Sequence, residues 1–163
     1  MTSHRSIMIN AGRAVCASEV VRSYCVEHFG RGIAVNVGAY PQGIPGENDA
    51  PFLWLIPADD ENESVAVDQT FTFRGVVGGL VRGAGGEKVI TVVEAERTAT
   101  ANGLTVNGGN KIVEDLRDII LGVIRDAKAG ARVMRIRRDE NDMSHFPLEW
   151  AEFFVEYVDS ATL

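Results

Sequence analysis

Between residues 112 and 127, Ile112, Val113, Leu116, Ile119, Ile120, Val123, Ile124 and Ala127 fall at intervals of three and four. That spacing is the period of a helix, and the stripe it makes is wide. A helix with such a stripe is not stable alone in water; it requires an apolar surface, most simply a sheet. Asn110 fits the N-cap, and Glu114 and Asp115 lie near the positive end of the helix dipole. Arg125 and Lys128 lie near the negative end, and Gly130 fits the C-cap.

The strands to receive it are legible. Pro51-Phe-Leu-Trp-Leu-Ile-Pro57 is an apolar run bounded by prolines, which marks a core strand that ends where a ladder can end. Ile33–Val37 is a shorter strand ahead of it. In the stretch 65–80, Phe71 and Phe73 share one face, while Thr72 and Arg74 share the other. Gly75, Gly78 and Gly79 imply a bend, a bulge or a close approach there. Residues 87–96 are rich in strand formers. Ala131–Arg138 alternates Met134 and Ile136 with Arg135 and Arg137. In the last strand, Pro147–Val158, Ala151, Phe153, Val155 and Tyr157 face one way, and Trp150, Glu152, Phe154 and Glu156 the other.

Ahead of the strands, residues 6–29 read as one helix, with Ala14, Ala17, Val21, Tyr24, Cys25 and His28 on its apolar stripe. Gly30 and Gly32 stop it. Glu19–Arg22 and Glu27–Arg31 are spaced to pair on its surface. The segments 38–50, 59–64, 83–86, 98–109 and 139–146 read as loops and turns. The expected fold is α+β: a mainly antiparallel sheet with two helices packed on one face, in one domain over 1–163 whose core spans roughly 6–158.

The chain of 163 residues carries a net charge of −7, which disfavours a dedicated nucleic-acid coat. No apolar run is long enough to span a membrane. Cys16 and Cys25 lie about 13 Å apart along the expected helix, too far for a bridge, and read as two free and mostly buried thiols in a reducing compartment.

No constellation of residues reads as catalytic, cofactor-binding or metal-ligating. His4, His28 and His145 are scattered, with no ligand-like spacing. Gly83-Ala-Gly-Gly-Glu-Lys88 lacks the spacing, the following Ser or Thr and the helix of a phosphate loop, so it reads as a hairpin turn. The carboxylates of 59–63 lack the glycine and closing glutamate of a calcium loop, so they read as a solvated turn. Arg132, Arg135, Arg137 and Arg138 are the one basic cluster: either a solvated face, or a contact with another subunit or with nearby DNA.

Three segments together resemble the tail terminator and tail-completion proteins of tailed bacteriophages. They are Tyr40-Pro-Gln-Gly with Asp49-Ala-Pro-Phe-Leu-Trp-Leu-Ile-Pro57, then Phe71-Thr-Phe-Arg74, then Phe146-Pro-Leu-Glu-Trp-Ala-Glu-Phe-Phe-Val-Glu-Tyr157. The similarity runs over roughly residues 6–158. The resemblance implies a structural, non-enzymatic virion protein without cofactors. It implies a ring, usually of six copies, assembled in the host cytoplasm on the head-proximal end of the tail tube. Its partners would be the tail-tube protein, a connector or neck protein, and DNA passing through the lumen without sequence recognition. Phe71 and Phe73 are expected in the core or at a subunit seam. Arg132, Arg135 and Arg137 are expected to meet Glu152 and Glu156 of a neighbour. Three rival readings stand beside it: a sibling neck, connector or tube subunit, a small enzyme, and a bacterial adaptor.

Overall fold

The computed structural model describes residues 4–39, 43–58, 70–80, 108–127, 131–138 and 148–159. Its elements run α1 (His4–Ala17), α2 (Glu19–Phe29), β1 (Ala34–Val37), a short 3-10 turn (Glu47–Asp49), β2 (Phe52–Pro57), β3 (Thr70–Gly79), α3 (Gly108–Ala127), β4 (Ala131–Arg138) and β5 (Glu149–Asp159). The expected strand at 87–96 and the turns at 59–64, 83–86 and 139–146 lie outside the described residues, as do Lys128 and Gly130.

The class is α+β, and the described residues form three helices and a mixed sheet in the order β1-β2-β3-β5-β4. Pairings of β2 with β3, β3 with β5 and β5 with β4 are antiparallel, whereas β1 runs parallel to β2. The parallel pair is the departure from expectation. A parallel neighbour needs a long connection, and residues 38–51 supply one.

The expected single helix over 6–29 is two helices. Ser18 leaves the helical conformation (φ −77°, ψ 117°), and its Oγ accepts a hydrogen bond from the Val21 N–H at 3.3 Å. A serine followed by Glu19 at the first helical position is a start signal, and here it interrupts a run that otherwise reads as continuous. The break shifts the buried phase. Ile7, Met8, Ala11 and Val15 are the buried side chains of α1, and Val21 and Cys25 those of α2; Ala17 is exposed. Gly30 closes α2 in the left-handed region (φ 78°), with its N–H bonded to the Val26 carbonyl at 3.0 Å.

Strand alternation divides the sheet into two faces. Leu53, Leu55, Phe73, Val77, Ala151, Phe153, Val155 and Tyr157 meet the helices in the main core, where Val113, Leu116, Ile120, Leu121 and Ile124 of α3 cover them. Phe52, Val76 and Trp150 form a second cluster on the opposite face with Ala50, Leu80 and Leu148. The β3 glycines let large rings cross the strand, whose register with β2 and β5 runs on without a bulge. A Cβ at Gly75 would lie 2.1 Å from Cζ of Phe153, its register partner on β5. A Cβ at Gly78 would lie 2.1 Å from Cζ of Phe52, its partner on β2. Similarly, Gly12 lets α1 approach β1: a Cβ there would sit 3.3 Å from Val35.

The two thiols differ, contrary to the expectation that both are buried: Cys16 is exposed and Cys25 is buried. Burial pushes the Cys25 thiol from 9.0 up to about 12. In the native protein one thiol per chain should react rapidly with a disulfide reagent, and the second only after unfolding. The unfolded state loses the Cys25 proton above about pH 9, while the folded state keeps it towards pH 12. Stability should therefore decline as pH rises through that window, and Cys25→Ala should remove this part of the decline, read by urea unfolding at pH 8 and pH 10.

Candidate interaction surfaces

On the face away from the helices, the apolar cluster gives way to polar side chains along the same strands. Register sets the rows: Phe52, Gly78 and Trp150; then Trp54, Val76 and Glu152; then Ile56, Arg74, Phe154 and residue 137; then Thr72, Glu156 and residue 135. Trp54, Ile56, Thr72, Arg74, Glu152, Phe154 and Glu156 are all half-buried. Aromatic and arginine side chains partly open to solvent are the composition of binding surfaces.

Glu152 organises this face. Its Oε1 accepts hydrogen bonds from Arg74 Nη2 and from Trp150 Nε1, the latter at 2.9 Å. The Glu152 side chain is 12% exposed and that of Arg74 37%. Arg74 Nε is buried with no hydrogen-bond partner among the described residues. Trp54 Nε1 donates to the Gly38 carbonyl at 2.6 Å, tying β2 to the end of β1. Glu152→Leu should destabilise the fold by about 1–2 kcal/mol, because it strips an acceptor from both Arg74 and Trp150; solvent reaching Arg74 keeps the loss at the low end for a broken ion pair. Urea unfolding checks this, with Arg74→Leu/Glu152→Leu recovering part of the loss.

The residues singled out from sequence fall in three places. Phe73 is in the core, 1% exposed, with its ring 5.9 Å from that of Tyr157. Phe71 is the register partner of Tyr157 on the same strand pair. Glu152 and Glu156 lie on the helix-free face, but Glu152 already has its arginine partner, Arg74, within the chain. Arg135 is the register partner of Glu156, Arg137 of Phe154 and Arg132 of Val158. Among the described residues β4 is an edge strand of the sheet, with a bulge between Val133 and Arg135. Arginines and a bulge are two of the devices that keep a sheet edge from pairing with other chains.

Sequence reading passed over a groove between α2 and α3. It has a volume of about 410 Å3 and is lined by Glu19, Val20, Ser23, Tyr24, Glu27 and Ile119. The Tyr24 hydroxyl donates to the Ile112 carbonyl at 2.8 Å, and its ring lies 4.3 Å from that of His28, so the floor is fixed. Val20 is 64% exposed. Its signal in the sequence is an apolar residue directly after the helix start, off the buried phase set by Val21 and Cys25.

Among the described residues, no group of His, Cys, Asp and Glu is placed to hold a metal ion, and no helix is long and apolar enough to cross a membrane. His145 and the carboxylates of 59–63 lie outside the described residues. No protein-family profile matches the chain, and no curated protein matches it in sequence.

Proposed function

We propose that the chain is a structural subunit that assembles into a closed ring of six copies and caps the head-proximal end of a phage tail tube, as the tail terminator proteins it resembles do. The observation that carries this reading is the order of elements. Helices α1 and α2 lead through a loop into the proline-bounded β2, then β3, then the amphipathic α3, then the closing pair β4 and β5. The resemblance implies one N-terminal helix, a loop, a proline-bounded apolar strand, an antiparallel sheet, a second amphipathic helix and a closing pair of strands; the chain departs from it in the Ser18 break and in β1, which precedes the loop and runs parallel to β2. The mixed apolar and charged character of the helix-free face also suits association more than turnover, since a half-buried Trp54 and Phe154 beside an arginine–glutamate pair gain from a partner that excludes water.

On this reading the chain assembles in the host cytoplasm and ends in the virion. One ring face meets the tail-tube protein, the other a connector or neck protein, and DNA passes through the lumen. Catalysis and cofactors have no part in it. The test is tube growth. Tail-tube protein polymerising in vitro should stop lengthening when the chain is added at one ring per tube end, with the label at the tips in electron micrographs. Unaltered tube lengths would refute a terminator, and label distributed along the tube would make the chain a tube subunit.

A further inference from the structure

A closed ring with one kind of contact needs two unlike surfaces on each subunit, one for each neighbour. The helix layer carries a matched pair. The first is the α2–α3 groove, where Glu19 and Glu27 flank Val20, Tyr24 and Ile119. Eight residues along a helix span about 12 Å, which sets the separation of the two carboxylates along α2. Glu27 has no ion-pair partner among the described residues, and Glu19 meets only Arg22, loosely, at 3.7 Å, with both side chains well exposed.

The second surface is the outer side of α1. This helix, His4–Ala17, contains no acidic residue. Arg5 and Arg13 are exposed, and neither has an ion-pair partner among the described residues. They too stand eight positions apart, about 12 Å along the axis, with the half-buried Ile9 midway between them. Positions separated by four and eight lie on one side of a helix. Both surfaces therefore carry two like charges at the same spacing, basic on α1 and acidic on α2; Ile9 lies midway on the first, and Ser23 and Tyr24 lie between the two carboxylates on the second.

We propose that α1 of one copy docks in the α2–α3 groove of a second copy, placing Arg5 and Arg13 against Glu19 and Glu27 and Ile9 over the Tyr24 ring, with Val20 covered beside Glu19. The inference rests on the ring reading above and names the contact that builds the ring. A helix laid into a groove between two others follows the packing of helices generally. Two ion pairs at the rim contribute modestly by themselves, and more once Val20 is covered and water is excluded. Closure of a ring multiplies a weak contact, because the last subunit makes two at once. The contact is head to tail, so the same pair of surfaces serves every interface.

Charge reversal tests it. One variant carries Arg5→Glu with Arg13→Glu; the other carries Glu19→Arg with Glu27→Arg. All four side chains are exposed, so both variants should keep the wild-type far-UV spectrum. Light scattering should show each variant alone associating roughly 10- to 100-fold more weakly than wild type. In an equimolar mixture, each variant's α1 opposes the other's groove with opposite charge at both contacts, so assembly should return. Wild-type assembly with variants that assemble equally well would overturn this contact and leave the ring standing. Two dissociated variants that fail to restore each other would also overturn it. A wild-type chain monomeric at every concentration would overturn both the contact and the ring.

Discussion

Gly78→Ala should destabilise the protein by about 1–3 kcal/mol, at the upper end of that range, although it adds a single methyl group. The methyl would arrive 2.1 Å from the Phe52 ring. Phe52 is fully buried, and its ring stands edge-on to Trp150 with centroids 5.7 Å apart, so it has no space to retreat into. Gly75→Ala should behave alike, since the fully buried Phe153 ring occupies that space on the other face. The control is relief by the partner. Phe52→Leu should cost stability alone, yet in its background Gly78→Ala should cost clearly less than in wild type. Urea unfolding of the four proteins gives the cycle. Equal losses in both backgrounds would mean that the ring does not lie across the glycine.

Leu116→Ala should lower stability by about 2–5 kcal/mol, the largest loss expected for a single truncation on α3. Leu116 is fully buried at the centre of the main core, between the helix layer and the sheet. Gly122→Ala on the same helix should act in the opposite sense, gaining about 0.5–1 kcal/mol. Gly122 is exposed, and a Cβ there would meet nothing within 4 Å. The pair separates packing from helix propensity within one element, read as the shift in unfolding midpoint at unchanged slope.

Period and punctuation made much of this fold readable before the structure. The α3 stripe and the alternation in β5 each name most of their buried face, because a wide apolar stripe or a two-residue alternation permits only one packing direction; Ala127 at the end of the stripe is exposed, and Leu121 beside it is buried. Prolines at 51 and 57 bracket β2 within a residue. The α1/α2 break was harder to see, since Ser18 is one capping residue inside a long helical texture and shifts the phase by less than a turn. The β3 glycines are compatible in sequence with a bend, a bulge or a close approach; the structure shows rings approaching closely at Gly75 and Gly78, and no local pattern identifies which ring crosses which strand. That depends on register. The parallel β1–β2 pair likewise has no local signature.

The candidate surfaces were less legible than the fold. Glu152 and Glu156 stood out by alternation, and both lie on the half-buried face. That Glu152 is held by Arg74 and Trp150 is a tertiary fact, since Arg74 lies on a different strand. The α2–α3 groove joins residues about ninety positions apart. Its charges, Glu19 and Glu27, look in sequence like an ordinary solvated helix face, and only the neighbouring α3 gives them a floor.

The proposed function stands on closure of this chain into a ring of its own copies. Light scattering behind size exclusion, across a concentration series, measures it most directly. Ring closure predicts one discrete species with the mass of six 17.7-kDa chains, unchanged as concentration rises. A single chain's mass at every concentration, or growth without an upper limit, would contradict it.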